Sequence, residues 1–234
     1  MPARIGPDRV PEEGGAAPRY ALAIFDFDGT LANSGDWFLS IAGDLAHRFG
    51  FREPGADKLD MLRGLSSREV IRYLGIPRWK LPAISRYVRA LLAEQIDRIS
   101  LFDGIDALLE ALASNGVRIA IVSSNAEANV RAVLGPANIA RIESFACGAS
   151  LFGKARLFRR VLRDSGLAPH QVISIGDETR DITAARKTKV TACAVLWGYA
   201  SRAAPSRLEP EALFETPNDV AQLVLGAPTS ASGS

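Results

Sequence analysis

Short, uninterrupted apolar runs alternate with amphipathic stretches along most of the chain. Tyr20–Phe25 (YALAIF), Val117–Val122 (VRIAIV), Val172–Ile175 (VISI) and Val190–Leu196 (VTACAVL) have the length and β-branched content of strands buried on both faces, and Glu143–Cys147 is a shorter strand candidate. Apolar positions at helical spacing predict helices at Ile105–Ser114, Glu127–Leu134, Ala155–Ser165 and Thr179–Lys187, with Gly116 suited to a helix end. Strand and helix in alternation predict an α/β protein with an open parallel sheet.

From about Asn33 to Phe102 the rhythm changes to helical signals without a convincing strand. Ser34 suits the cap of a helix carrying Trp37, Phe38, Ile41 and Leu45, and a short helix is predicted at Lys58–Leu62. Ser66-Ser67-Arg68-Glu69 has capping-box spacing ahead of Val70, Ile71 and Leu74. Pro82 suits the start of a helix bearing Ile84, Val88, Leu91, Leu92, Ile96 and Ile99. The predicted organisation is a flexible leader (1–18), a parallel-sheet core (19–33 and 103–226), an inserted all-helical domain (34–102) and a flexible tail (227–234).

Composition narrows the function. Of 234 residues 47% are hydrophobic, and 28 Lys and Arg against 26 Asp and Glu leave a net charge of +2. With no basic block or basic–aromatic stripe, nucleic acid is not expected as a partner. No apolar stretch has the length of a membrane span, and residues 1–19 lack the apolar core of a secretory signal, so no membrane partner and a cytoplasmic location are expected. Cys147 and Cys193 sit outside any metal or CxxC spacing and are expected as free thiols. His47 and His170 have no matching ligands and are expected on the surface or in the core, and Trp37, Trp79 and Trp197 are expected to pack.

The chemistry lies in the polar residues at the carboxyl ends of the strands. Asp26-Phe27-Asp28-Gly29-Thr30 comes after the first, Ser123-Ser124-Asn125 after the second, and Gly176-Asp177 after the fourth, with Asp181 four residues on; Lys154 opens a helix. In an open parallel sheet these groups fall on one rim, where ligands bind. Asp26 is the candidate nucleophile, forming an aspartyl-phosphate. Asp28, two residues on and on the same face, is the candidate acid and base. Asp26 and Asp177 with a backbone carbonyl suit Mg²⁺. Ser123 is placed to hydrogen-bond a phosphate oxygen and Lys154 to neutralise it, while Asp181 is placed to orient a metal-bound water or Lys154. Gly29 and the amides after Ser123, at Ser124 and Asn125, suit a phosphate cradle.

The DFDGTLANS stretch, Ser123, Lys154 and the GDETRD segment, in that order, resemble the four motifs of the haloacid dehalogenase superfamily. The helical insertion resembles its phosphoglycolate phosphatase and β-phosphoglucomutase branch, as do Trp197-Gly198-Tyr199 and Glu215-Thr216-Pro217-Asn218-Asp219. The resemblance runs from about Tyr20 to Val224. It implies a Rossmann-like core (19–33 and 103–226), a mobile helical cap (34–102) and Mg²⁺ held by the Asp26 side chain, the Asp28 carbonyl and the Asp177 side chain. It also implies a small phosphorylated metabolite as substrate, with Arg68 of the cap as a substrate-binding candidate; the assembly is left open between a monomer and a homodimer. A phosphatase is the leading reading and a sugar-phosphate mutase the alternative. Asp28 argues against dehalogenation, which needs no acid for its leaving group, and the insertion argues against a phospho-receiver.

Overall fold

A computed structural model describes residues 17–148 and 153–226. The expected leader (1–18) and tail (227–234) lie outside the described residues, apart from residues 17 and 18. Strands β1 (Leu22–Phe25), β4 (Arg118–Val122), β5 (Ser144–Ala146), β6 (Val172–Gly176), β7 (Thr191–Val195) and β8 (Ala212–Phe214) form one sheet, in the order β5-β4-β1-β6-β7-β8, with every pairing parallel. The remaining strands, β2 (Ala32–Asn33) and β3 (Ser100–Leu101), form a separate antiparallel pair. The helices are α1 (Gly35–Phe49), α2 (Leu59–Arg63), α3 (Ser67–Tyr73), α4 (Leu81–Glu94), α5 (Ile105–Ser114), α6 (Glu127–Arg141), α7 (Lys154–Ser165), α8 (Thr179–Lys187), α9 (Ala203–Ser206) and α10 (Pro217–Leu225).

The continuous apolar runs result from burial on both faces. In β1, Ala23 and Phe25 enter one hydrophobic cluster, whereas Leu22 and Ile24 enter a second on the opposite face. The same alternation divides Ile119 and Ile121 from Ala120 and Val122, and Cys193 and Val195 from Ala192 and Ala194. Helices α5, α6 and α10 supply Leu109, Leu112, Val130 and Val220 to the first cluster; α7 and α8 supply Phe158, Val161 and Ile182 to the second. The chain runs outward from β1 to β4 and β5, then returns to β6 on the other side of β1. That reversal opens a crevice at the carboxyl ends of β1, β4 and β6.

Between β1 and α5 the insertion is helical apart from its two ends, where β2 and β3 pair Ala32 with Leu101 and Asn33 with Ser100. Two residues per strand are too few to show a period, so the pattern pointed only to helices there. The capping box at Ser66 is present: the Ser66 amide donates to Glu69 Oε2 at 2.8 Å, and the Glu69 amide donates to Ser66 Oγ at 3.4 Å. Trp37, Ile41, Leu45, Leu92 and Ile99 of the insertion join the same cluster as Phe25 and Ile121. Trp79 does not pack as expected; it is 77% exposed, with Lys80 over its ring. Edge strand β8 and helix α10, which starts in a Thr216–Asp219 capping box, extend the core past the last expected strand. Among the described residues, no helix is long and apolar enough to cross a membrane.

Leu109 is fully buried in the first cluster. Truncating it by Leu109→Ala is expected to lower unfolding free energy by about 2–5 kcal/mol, read from the urea midpoint at unchanged slope.

Candidate active site

Asp26 continues the line of β1, its amide bonding the Ile175 carbonyl of β6 at 2.9 Å. The chain then turns tightly, with the Leu31 and Ala32 amides both on the Phe27 carbonyl at 2.9 Å. Gly29 takes φ +76° in this turn, and a Cβ there would fall within 3.0 Å of the Asp177 carboxylate. A Cβ on Gly198, after β7, would meet Asp177 and the Gly29 carbonyl just as closely. Asp177 is therefore gripped from two loops. Thr30 Oγ1 donates to its Oδ1 at 3.2 Å, the Tyr199 amide donates to Oδ2 at 2.9 Å, and the Trp197 indole ties the loops together by donating to the Thr30 carbonyl at 2.9 Å.

Lys154 is the first residue of α7 and is 3% exposed. Its ammonium lies 2.5 Å from Asp26 Oδ2, in an ion pair without hydrogen-bond alignment, and also pairs with Asp181 Oδ1. Burial alone would lower the pKa of Lys154, but Asp181 and Asp26 outweigh it and hold the ammonium charged. The other Asp181 oxygen accepts from the Glu178 amide at 3.1 Å, closing a capping box at the start of α8. Burial, with Asp26 adding to it, pushes Asp181 up to about 6 despite Lys154. Burial, together with the negative charges of Glu178, Asp26 and Asp181, raises Asp177 well above the ordinary carboxylate range.

Asp28 faces a different set of groups. Ser34 Oγ donates to its Oδ1 at 3.0 Å, and Asn125 Nδ2 reaches its two oxygens at 3.3 and 3.2 Å. Desolvation, with Asp26 beside it, raises the carboxyl to about 6, although both hydrogen bonds oppose the shift. Ser34 occupies the N-cap position of α1, but its side chain caps nothing there and is turned to Asp28, a correction to the expected role. Asn125 is itself held, accepting from the Ala126 amide at 2.8 Å and from Asn129 Nδ2 at 3.1 Å. Ser123 is fully buried, and its hydroxyl oxygen accepts from the Asn125 amide at 2.9 Å.

Asp26, Asp177 and Asp181 each present a carboxylate oxygen within 4.8 Å of the others. Buried hard oxygen donors without nitrogen or sulfur suit a small divalent cation such as Mg²⁺. The Asp28 side chain lies outside this trio, so it does not contest the expectation that Asp28 offers its carbonyl.

A cavity of about 520 Å³ reaches Lys154 and Arg180 from the side of the insertion and is bordered by Ser66, Ser67 and Arg68. Arg68 is thus at the cavity wall. Arg180 went unnoticed in the sequence, although it lies inside the GDETRD segment. Its Nη2 is 2.8 Å from Glu178 Oε1 and 3.9 Å from Asp26 Oδ2, and its Nη1 is 3.5 Å from Ser124 Oγ. The insertion is latched to the core nearby: Ser67 donates to the Glu178 carboxylate, Arg63 Nε to the Tyr199 carbonyl at 3.1 Å, and the Ser201 amide to the Arg63 carbonyl at 2.8 Å. His47 and His170 are exposed, as expected, and take no part in these contacts.

A phosphoglycolate phosphatase of Synechococcus elongatus is 34% identical over 202 residues, covering 86% of this chain and 95% of that protein. The tyrosine-protein kinase PtkA of Mycobacterium tuberculosis is 30% identical over 182 residues, covering 76% of this chain and 62% of that protein. A haloacid dehalogenase-like family hydrolase from Streptococcus pneumoniae shares the fold with a TM-score of 0.70 at 23% identity, over 86% of this chain and 97% of that one. The sequence profile of the haloacid dehalogenase-like hydrolases matches residues 23–195, and the chain belongs to that family.

Proposed function

We propose that the chain is a Mg²⁺-dependent phosphatase that hydrolyses a small phosphomonoester through an aspartyl-phosphate on Asp26. The observation that carries this reading is the convergence of Asp26, Lys154, Asp177 and Asp181, distant in sequence, within one buried cluster. The phosphoglycolate phosphatase relative, matched over 95% of its own length, supports a small phosphorylated metabolite as the substrate.

In the first half-reaction an Asp26 oxygen attacks phosphorus, a P–O bond to the carboxylate forms, and the ester P–O bond breaks. Asp28, kept partly protonated by its raised pKa, gives its proton to the departing oxygen. In the second half-reaction the Asp28 carboxylate takes a proton from water as that water attacks phosphorus, and the bond to Asp26 breaks. Ser34 and Asn125 hold Asp28 for both transfers. Lys154 restrains Asp26 and offsets charge on the phosphoryl oxygens, with Asp181 fixing the ammonium. Ser123, Ser124 and Gly29 form the phosphate cradle. Mg²⁺, held by Asp26 and Asp177 with the Asp28 carbonyl, would supply positive charge that offsets repulsion between an anionic substrate and the nucleophile. The insertion, residues 34–102, acts as the cap, and Arg68 binds the part of the substrate beyond the phosphate.

Purified protein with Mg²⁺ is expected to release phosphate from members of a phosphorylated-metabolite panel, and Asp26→Asn to release none. Isomerisation of a sugar phosphate without net release would turn the assignment to a mutase, and full activity of Asp26→Asn would remove the nucleophile. Asp28→Asn is expected to preserve substrate binding while lowering kcat by about 10²–10⁴-fold, seen as slowing of both the burst and the steady state. An unchanged rate would dismiss Asp28 as acid and base.

Because Asp181 holds its proton up to about 6, above its ordinary 3.8, and Asp177 is also raised, the contribution of these two groups to the stability of the metal-free fold is lost as pH climbs from about 4 upward. A bound cation must displace such protons. The rise in Tm on adding Mg²⁺ is therefore expected to be small at pH 5 and larger at pH 7.5, and a pH-independent rise would contradict it.

A further inference from the structure

We infer that Arg180 is a catalytic residue of this chain, a second cation on the transferring phosphoryl group, and that Glu178 is the positioning residue that aims it. The inference rests on the proposed phosphoryl transfer at Asp26 and adds a group to which the sequence reading gave no role.

The side chain of Arg180 is only 15% exposed, and its Nε is buried with no hydrogen-bond partner. A guanidinium carries donors in a rigid planar fork, and leaving one unused in a buried setting is costly unless a ligand takes it. The neighbours define what that ligand is. Nη2 stands 3.9 Å from Asp26 Oδ2, too far for a direct bond and close to the point where phosphorus must arrive. Nη1 stands 3.5 Å from Ser124 Oγ, beside the backbone expected to cradle the phosphate. Arg180 also lines the cavity that Ser67 and Arg68 of the insertion border. Lys154 is a point charge already engaged by two carboxylates, whereas the fork of Arg180 matches two phosphoryl oxygens at once.

Glu178 accounts for the orientation. Its carboxylate takes Arg180 Nη2 at 2.8 Å on one oxygen and the Ser67 hydroxyl on the other. Ser67 belongs to α3 of the insertion, so Glu178 joins the insertion to the guanidinium beside the nucleophile. Arg180 breaks no bond and moves no proton. It offsets charge on oxygens that become more electron-rich as the P–O bond lengthens, so its loss falls mainly on kcat.

The test combines steady-state kinetics with calorimetric titration of orthovanadate in Mg²⁺, using wild type, Arg180→Ala, Arg180→Lys, Glu178→Ala and the double variant Glu178→Ala/Arg180→Ala. Arg180→Ala is expected to lower kcat by about 10²–10³-fold and to bind vanadate at least about tenfold more weakly. Arg180→Lys keeps the charge and therefore the fold, yet is expected to recover less than about a tenth of the rate. Glu178→Ala is expected to slow the enzyme where Arg180 is present and to add nothing where it is absent, because it acts through that residue. A structural role predicts otherwise: if Arg180 merely neutralises Glu178, the double variant regains wild-type rate. That recovery, wild-type kinetics in Arg180→Lys, or unchanged vanadate affinity in Arg180→Ala would each overturn the inference. A wild type that binds vanadate but hydrolyses nothing would instead count against the phosphatase reading, and the titrations would still decide the contact.

Discussion

Like charges buried side by side repel, and the whole site is organised around making three such carboxylates tolerable. Asp26, Asp177 and Asp181 are nearly or fully buried, so the field between them is weakly screened. Lys154 answers two of them directly, the turn after β1 and the loop after β7 hold the third by hydrogen bonds, and Arg180 lies at the edge. The residual imbalance is visible in the raised pKa values of Asp177 and Asp181. It is also what makes the cluster suited to a cation: a site already short of positive charge gains most from receiving it.

That balance depends on topology. Asp26 and Asp177 meet because β1 and β6 are hydrogen-bonded neighbours despite their distance along the chain, and Ser123 joins them because β4 pairs on the other side of β1. Lys154 and Asp181 reach inward from the first turns of α7 and α8, and the fully buried cluster beneath these helices sets their depth. Packing on the two sheet faces therefore decides where the charges stand, and the crevice at the strand reversal decides what they surround.

The core was largely legible in the sequence because strands buried on both faces read as continuous apolar runs, and the chemistry-bearing residues come directly after them. Ile105–Ser114 and Thr179–Lys187 match their helices to the residue. Less visible were elements too short to show a period, such as the two-residue strands β2 and β3 and the three-residue edge strand β8. Residues defined by a partner rather than by a pattern were also hidden. Ser34 looked like a helix cap because capping needs only a local hydroxyl, whereas its bond to Asp28 depends on the turn between them. Arg180 drew no reading at all; its meaning comes from Ser124, 56 positions away. Asp181, expected to orient a metal-bound water or Lys154, pairs with Lys154, and its contact with the Glu178 amide required the geometry of the α8 start.

The small antiparallel pair between β2 and β3 has a wider consequence. With Ala32 directly opposite Leu101, the polypeptide leaves the sheet layer and re-enters it at a single doorway. Past that doorway the chain still gives Trp37, Ile41, Leu45, Leu92 and Ile99 to the core and Ser34 to Asp28, so its inner side is tied to the strands that carry the acids. In the proposed phosphatase, substrate selectivity would fall to the outer part of the insertion, which reaches the reacting groups where Ser67 meets Glu178.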